Sequence, residues 1–213
     1  MEKFPIRLND RGNDKGGILS TVVLIFVAVL FVLLLAFNFL YTRIYIVGSS
    51  MKNTLIGADS MQHPGGDYVY ICKYIEPKRG DIVVIKFGDK SLIKRVIGLG
   101  GDTLKLEDGK LYIKGEFDDD FTLVEEPYVD DALNTDMTKN NFDELSVKEG
   151  YVFFMGDNRD NSEDSRGYYG CQPVECIEGV VTGWSLQCKG FITAWNTFFE
   201  FKLPEFFASL KNS

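Results

Sequence analysis

A serine and a lysine in this chain have the residue types and settings that nucleophilic catalysis requires. Ser50 lies in Gly48-Ser49-Ser50-Met51, and Lys94 lies in Leu92-Ile93-Lys94-Arg95-Val96-Ile97. A serine hydroxyl becomes a nucleophile when a base takes its proton, and a lysine is such a base once burial has lowered its pKa. Adjacent side chains of a strand face opposite sides, so Lys94 or Arg95 must share a face with apolar residues. Apolar neighbours and the positive charge of Arg95 are both expected to lower the pKa of Lys94.

The single histidine, His63, is the other base that a serine hydrolase could use. It lies in Gln62-His63-Pro64-Gly65-Gly66, which is typical of a turn, and a histidine in a loop is more often exposed than catalytic. The nucleophile-elbow pattern G-x-S-x-G is not met around Ser50, because Lys52 stands where the second glycine should be. From these residues alone, a lysine base, a histidine base and an ordinary polar surface all remain open.

An apolar segment, residues 18–41, precedes both candidates and contains no charge over 24 positions. As a helix it would be about 36 Å long, which is enough to cross the hydrocarbon core of a bilayer. A cleaved signal peptide is the competing interpretation, but its apolar region is usually shorter and ends in small residues, whereas Phe37, Phe39 and Tyr41 end this one. The sequence therefore predicts an uncleaved membrane anchor. Only eight residues separate Tyr41 from Ser50, so the site should lie close to the membrane.

The distribution of charge predicts the orientation and the partners. Basic residues are in excess before the anchor, which predicts a cytoplasmic tail over 1–17 and an extracytoplasmic domain over 42–213 in the cell membrane. The whole chain has 23 Lys and Arg against 31 Asp and Glu, a net charge of −8, which argues against a nucleic-acid partner. The part beyond the anchor is acidic, so any further attachment to anionic lipid would have to be apolar rather than electrostatic.

The domain over 42–213 is predicted to be mainly β. β-branched runs at 81–87 and 92–99 indicate strands, and alternating residues on both sides of Asp108-Gly109 give a strong hairpin signal. Residues 151–155 and 176–184 are predicted to be later strands.

Two parts of this domain are expected to lie outside its main sheet. Residues 103–150 should form a smaller β extension, and the eight acidic residues between Glu116 and Asp131 should form a solvated loop. The aromatic segment 191–213 is expected to be a final strand with a packed or frayed tail, and an interfacial helix is the alternative, since its aromatics have roughly helical spacing.

No metal or cofactor is predicted. The four cysteines contain no C-x-x-C pair, and one histidine leaves little for a metal site. Cys171 and Cys176 are close enough in sequence to form a disulfide, but four cysteines do not fix a pairing.

Four segments resemble, in order, the sequence boxes of the bacterial type I signal peptidases. Ser50-Met51-Lys52-Asn53-Thr54-Leu55 resembles the nucleophile box Ser-Met-x-Pro-Thr-Leu, and Arg79-Gly80-Asp81-Ile82-Val83-Val84 resembles the second box. Residues 94–102, Lys-Arg-Val-Ile-Gly-Leu-Gly-Gly-Asp, are similar to the lysine box, and residues 156–166, Gly-Asp-Asn-Arg-Asp-Asn-Ser-Glu-Asp-Ser-Arg, are similar to the last box. Together with the anchor, these segments extend the resemblance over most of the chain.

The resemblance implies a fold, an activity and a role for each matching residue. It implies a β-sheet-rich catalytic domain behind one N-terminal transmembrane helix, and an endopeptidase that removes signal peptides from exported preproteins after small residues at −1 and −3. Ser50 would be the nucleophile, Lys94 the general base, and Ser162 the residue that orients the lysine amine. The residues implied to hold the frame of the site are Asp157, Arg159, Asp164 and Arg166, and those implied to lie at the substrate are Gly48, Ser49 and Met51.

The chain departs from the boxes at three positions. Asn53 and Gly100 stand where the family usually has proline, which is expected to loosen two turns. Gly48 stands where some members have a serine that donates to the oxyanion, so the Ser50 N–H is the expected donor. A non-catalytic relative that acts in surface-fibre assembly is the alternative function, although such a protein would tend to lose the serine or the lysine, and both are present here.

Overall fold

The computed structural model describes residues 15–131, 134, 141–205 and 207. Most of the predicted cytoplasmic tail and the last six positions of the aromatic C-terminal segment lie outside the described residues. The chain divides into two units, the first ending at Leu40 and the second beginning at Tyr41. The described part of the first unit is one helix, α1 (Lys15–Leu40), whose apolar stretch Gly17–Leu40 is long enough to cross a membrane.

The second unit is mainly β, as the sequence predicts. Its described strands are β1 (Tyr41–Tyr45), β2 (Tyr68–Cys72), β3 (Ile82–Phe87), β4 (Lys90–Leu99), β5 (Thr103–Glu107), β6 (Lys110–Lys114), β7 (Thr122–Leu123), β8 (Phe142–Ser146), β9 (Tyr151–Met155), β10 (Gln172–Pro173) and β11 (Ile177–Val181). They form a seven-stranded sheet in the order β1-β2-β11-β3-β4-β9-β10 and a four-stranded sheet in the order β7-β6-β5-β8. Every pairing within these two sheets is antiparallel.

The predicted hairpin in the smaller sheet is confirmed. Glu107 pairs with Lys110, which leaves Asp108 and Gly109 as the two turn residues. Both have positive φ, at 50° and 72°, as the primed turns of two-residue hairpins require.

Strand β3 lies at the centre of the large sheet, and its two faces are both buried. Ile82 and Val84 belong to one hydrophobic cluster, whereas Val83 and Ile85 belong to another. Because side chains alternate along a strand, the two clusters cover the sheet on opposite faces. This rigid centre pairs with β4 and so fixes the backbone that carries Lys94.

The end of the described chain is helical, so the expected final strand is wrong. The last strand stops at Val181, and α2 (Gly183–Gln187), α3 (Lys189–Thr197) and a π-helical turn (Phe198–Lys202) follow. The helical spacing of the aromatic residues was the informative signal here, because it matches a 3.6-residue period rather than the two-residue period of a strand.

Candidate active site

Ser50 lies on a tight turn that is anchored in the core. The turn is closed by hydrogen bonds from Lys52 N–H to Ser49 O at 3.0 Å and from Leu55 N–H to Met51 O at 2.9 Å. Met51 and Leu55 are each only 1% exposed, and both pack in the hydrophobic cluster beneath the turn. The buried side chains of Met51 and Leu55 therefore hold the turn, and with it Ser50, against the large sheet.

The structure brings Lys94 and Ser50 together. Lys94 Nζ lies 2.6 Å from Ser50 Oγ and also donates to the carbonyl oxygen of Ile93 at 3.1 Å. Lys94 is only 4% exposed, although it carries an amine at the end of a long side chain. Its neighbour Arg95 is also buried. The alternation of side chains along the strand required only one of these two residues to face the interior, and in the structure both side chains are buried.

Burial lowers the pKa of Lys94 to about 8, because desolvation penalises the ammonium form. The carboxylates of Asp164, Glu163 and Asp157 act against this by favouring the charged amine. Arg95, which was expected to lower the pKa by like charge, is not among the causes. The guanidinium of Arg95 is instead paired with Asp157.

A second turn, residues 156–161, holds the nucleophile turn from the other side. The N–H of Asn158 donates to Ser50 O at 3.0 Å, and its side-chain amide donates to Ser49 O at 3.1 Å. The amide of Asn161 donates to Ser49 Oγ at 2.7 Å. Three hydrogen bonds therefore fix residues 49 and 50, and they leave the hydroxyl of Ser50 to Lys94.

A buried ion pair joins all four sequence boxes. Arg95 binds Asp157 through two hydrogen bonds of 2.8 and 2.6 Å. The hydroxyl of Thr54 donates to the same carboxylate, and Arg95 also donates to the carbonyl oxygen of Gly80 at 2.7 Å. Asp157 is fully buried, and a buried charge of this kind is stable only when its partners satisfy it. The pair therefore locks the Lys94 strand to the nucleophile turn.

Two further ion pairs support the 156–166 segment. Arg159 pairs with Glu126 through bonds of 2.9 and 2.6 Å, and both side chains are almost fully buried. Arg166 pairs with Asp164 at 2.9 Å, and Asp164 accepts the N–H of Gly156 at 3.0 Å. Both arginines and Asp164 thus occupy the framing positions that the resemblance assigns to them, and their contribution to catalysis stays a prediction.

Ser162 lies close to Ser50, but its hydroxyl makes no hydrogen bond to Ser50 or Lys94. Its hydroxyl oxygen is buried and has no hydrogen-bond partner among the described residues. A Cβ at Gly156 would lie 2.3 Å from Ser162 Oγ and 2.5 Å from Ser50 O, so only glycine fits between the two. The orienting role of Ser162 stays a prediction, since Lys94 donates elsewhere in this structure.

A cleft of about 220 Å³ opens beside the two reactive side chains. Ser50 and Lys94 line it together with mostly apolar residues, which include Ile44, Ile46, Met61, Val84 and Leu92. Of the three predicted substrate-binding residues, Met51 is buried beneath the turn and does not line this cleft, and neither do Gly48 and Ser49.

The two positions that lack the family's proline have surroundings that suit the residues present, and the expected loosening of the turns stays a prediction. Asn53 has a φ of +99°, a value that proline cannot adopt, and its amide donates to Tyr128 O at 2.8 Å. At Gly100, a Cβ would lie 2.8 Å from Glu149 Cα, so a larger residue would clash with the backbone. Both residues are adapted to the local backbone.

The acidic segment 116–131 is not wholly a solvated loop, because two residues near its end contact the buried arginines of the site. Besides the ion pair from Glu126 to Arg159, the ring of Tyr128 lies 3.8 Å from the Arg95 guanidinium. Tyr128 also donates its hydroxyl to Glu126 at 2.8 Å. These two residues were not predicted from the sequence, and the Glu-Pro-Tyr pattern, with a proline and an aromatic residue inside an acidic run, was the available signal.

His63 takes no part in the site. It is exposed, its Nδ1 lies 2.8 Å from Ser60 Oγ, and it does not line the cleft. The four cysteines are all free, including Cys171 and Cys176. No group of three or more potential metal ligands occurs in the part of the chain that the structure describes.

A serine hydroxyl held against a buried lysine amine, in a β-rich domain behind an apolar helix, is the arrangement of a serine hydrolase. The family model described as signal peptidase, peptidase S26, matches residues 18–184. The chain belongs to this family, and it is a serine endopeptidase. The family and the apolar helix together indicate that it is anchored in a membrane.

Two signal peptidases of Bacillus agree with this assignment. Signal peptidase I of Bacillus licheniformis is 36% identical over 79% of this chain and 88% of its own length. Signal peptidase I S of Bacillus subtilis (strain 168) is 37% identical over 79% of this chain and 89% of its own. A crystal structure of a signal peptidase I from Enterococcus faecalis V583 is 33% identical, covers 51% of this chain and 98% of that chain, and has a TM-score of 0.42.

Proposed function

We propose that this protein removes signal peptides from exported preproteins, with Ser50 as nucleophile and Lys94 as general base. The observation that carries the proposal is the 2.6 Å contact between Lys94 Nζ and Ser50 Oγ, made by a buried lysine. Burial lowers the pKa of Lys94 to about 8, and at pH 7 about one such amine in ten is neutral. With the ordinary lysine pKa of 10.5, roughly one amine in three thousand would be neutral at the same pH. The neutral amine is the form that accepts a proton.

The reaction follows from this geometry. Lys94 takes the proton of Ser50 as the serine oxygen attacks the scissile carbonyl, and the resulting ammonium gives that proton to the leaving amine. The acyl-enzyme is then attacked by water, whose proton Lys94 accepts. As the bond between the acyl carbon and Ser50 Oγ breaks, Lys94 returns that proton to Ser50 Oγ, which releases the acid product and regenerates both residues. No metal or cofactor enters these steps.

The backbone N–H of Ser50 is the donor we assign to the oxyanion. It makes no hydrogen bond to any described residue, so it is available to a negative oxygen that develops beside it. Gly48 offers no side-chain hydroxyl, and its own N–H is bonded to Ala58 O at 2.9 Å.

The apolar cleft supports cleavage after small residues. At about 220 Å³ the cleft is small, and its mostly apolar lining would exclude large side chains by steric clash. Pockets of this kind discriminate poorly among small residues, so we expect alanine, glycine and serine to be accepted with modest differences.

The proposed topology places the N-terminus in the cytoplasm and the peptidase domain outside. The basic excess before α1 supports this orientation. A preprotein that is still held in the membrane by its signal peptide would then present its cleavage site to Ser50 from the same side.

The test is cleavage of a model preprotein by the full chain in detergent micelles. Ser50→Ala and Lys94→Met should each abolish cleavage, whereas His63→Ala is the matched control and should cleave normally. Cleavage by the Lys94 variant would refute the lysine base, and loss of cleavage in the His63 variant would favour a histidine base. An inactive wild-type chain, with all variants equally inactive, would favour the non-catalytic role in surface-fibre assembly.

A further inference from the structure

The helical segment formed by α3 and the π-helical turn is attached to the domain through polar side chains. It lies beyond the residues that match the family model, which end at position 184. Its attachments are Lys189 Nζ to Thr54 O at 2.8 Å, Tyr68 N–H to Thr193 Oγ1 at 2.9 Å, and Arg43 Nη2 to Glu200 Oε1 at 2.5 Å. A surface helix of a soluble domain normally turns its apolar stripe to the core, and this segment uses polar groups there as well as Ile192.

Its opposite side carries four exposed aromatic residues, which we call the aromatic face. Phe191 is 73% exposed, Trp195 58%, Phe198 49% and Phe199 45%. Their rings contact one another, with centroids 6.2 Å apart for Phe191 and Trp195 and 4.9 Å apart for Trp195 and Phe199. A contiguous patch of large aromatic rings exposed to water is unfavourable, so it marks a surface that contacts an apolar medium or partner.

The segment is bonded to the strand that follows the membrane anchor directly in the chain. Strand β1 begins at Tyr41, the residue after the last residue of α1. Arg43, three residues beyond Leu40, binds both Asn196 and Glu200 of the segment. The side chains of the segment are therefore bonded to the strand into which the membrane anchor directly leads.

We infer that the aromatic face binds the lipid surface of the membrane in which the chain is anchored. Tryptophan and phenylalanine rings are favoured at the boundary between headgroups and acyl chains, and a helix with one aromatic face lies in that plane. The chain is acidic, with a net charge of −8, so the binding is apolar and needs no anionic lipid. A second copy of the chain is the competing occupant, and the experiment below separates the two.

The chain has two tryptophans, which makes the inference directly measurable. The full-length Trp184→Phe variant, reconstituted in phosphatidylcholine vesicles, leaves Trp195 as the fluorescent reporter. The matched control carries Trp184→Phe, Trp195→Phe and Phe117→Trp, because position 117 lies in a different part of the domain and is 92% exposed. Circular dichroism and thermal melting establish that each variant is folded, independently of any peptidase activity.

Phosphatidylcholine brominated near the headgroup end of its acyl chains should quench Trp195 strongly and should barely quench the control. Acrylamide, which quenches from water, should act severalfold less on Trp195 than on the control. Replacing part of the phosphatidylcholine with phosphatidylglycerol should leave both results unchanged.

Three results would overturn the inference. The first is a Trp195 that responds to acrylamide and brominated lipid as the control does. The second is a Trp195 protected from both quenchers, which would place protein, such as a second copy, over the aromatic face. The third is lipid quenching that requires phosphatidylglycerol, which would make the attachment electrostatic.

Discussion

Replacing Glu126 with alanine should lower the free energy of unfolding by about 3–5 kcal/mol, because it leaves a buried guanidinium without its counter-ion. The side chains of Arg159 and Glu126 are only 4% and 8% exposed, and two hydrogen bonds of 2.9 and 2.6 Å join them. Of the hydrogen bonds that its side chain makes to described residues, Arg159 would keep only the one to Gly156 O at 3.1 Å. For a domain of this size the cost corresponds to a fall in melting temperature of roughly 6–20 °C.

The assay is thermal unfolding of the full chain in detergent micelles, followed by circular dichroism. The matched control is Glu107→Ala, which removes the acidic partner of Lys105 from an ion pair whose side chains are 32% and 58% exposed. Water and salt screen an exposed pair of this kind, so the control should melt close to the wild type.

A double variant distinguishes loss of the ion pair from loss of packing. Glu126→Leu together with Arg159→Met replaces both charges with apolar groups, and it should recover much of the stability lost in Glu126→Ala. The reasoning would be refuted if Glu126→Ala melted like the Glu107 control, or if the double variant melted as low as the single one.

Three further predictions concern the nucleophile turn and its neighbours. Ser162→Ala should lower kcat with little change in KM or melting temperature if its buried hydroxyl orients Lys94, whereas a large fall in melting temperature would make Ser162 structural. Asn53→Pro should destabilise the domain by at least about 1–3 kcal/mol in a thermal melt, because proline cannot adopt a φ of +99°, and a variant as stable as wild type would contradict the observed turn. Gly156→Ala should reduce cleavage strongly, since a Cβ there would lie 2.5 Å from Ser50 O, and full activity would show that the turn relaxes freely.

The sequence was sufficient to predict those parts of the fold that depend on local patterns. Alternation on both sides of Asp108-Gly109 determines a hairpin, and the apolar run around Lys94 determines a buried strand, so both could be predicted from a few residues. The contact between Ser50 and Lys94 joins residues 44 positions apart. Residue chemistry made the pair one of several open interpretations, and only the family resemblance selected it before the structure did.

The remaining features depend on long-range contacts that no local pattern encodes. Glu126 is one of eight acidic residues in its segment, and its burial results from the position of Arg159, which is 33 residues away. The positive φ of Asn53 is supported by a bond to Tyr128, 75 residues further on. The C-terminal segment was expected to be a strand, with a helix as the alternative. The contacts that attach the observed helix to the domain come from residues far away in the sequence, such as Arg43, and no local pattern encodes them.

The pH dependence of kcat/KM tests the central claim most directly, since it measures whether a lysine with a lowered pKa is the base. In single-turnover cleavage, where the chemical step is measured, kcat/KM should rise about tenfold per pH unit below a pKa of about 8 and level off above it, because deprotonation creates the reactive amine. His63→Ala should give the same profile. A rate that stays flat from pH ~6 to ~9, or one that rises through the histidine range near ~6.5 and is lost with His63, would contradict the account.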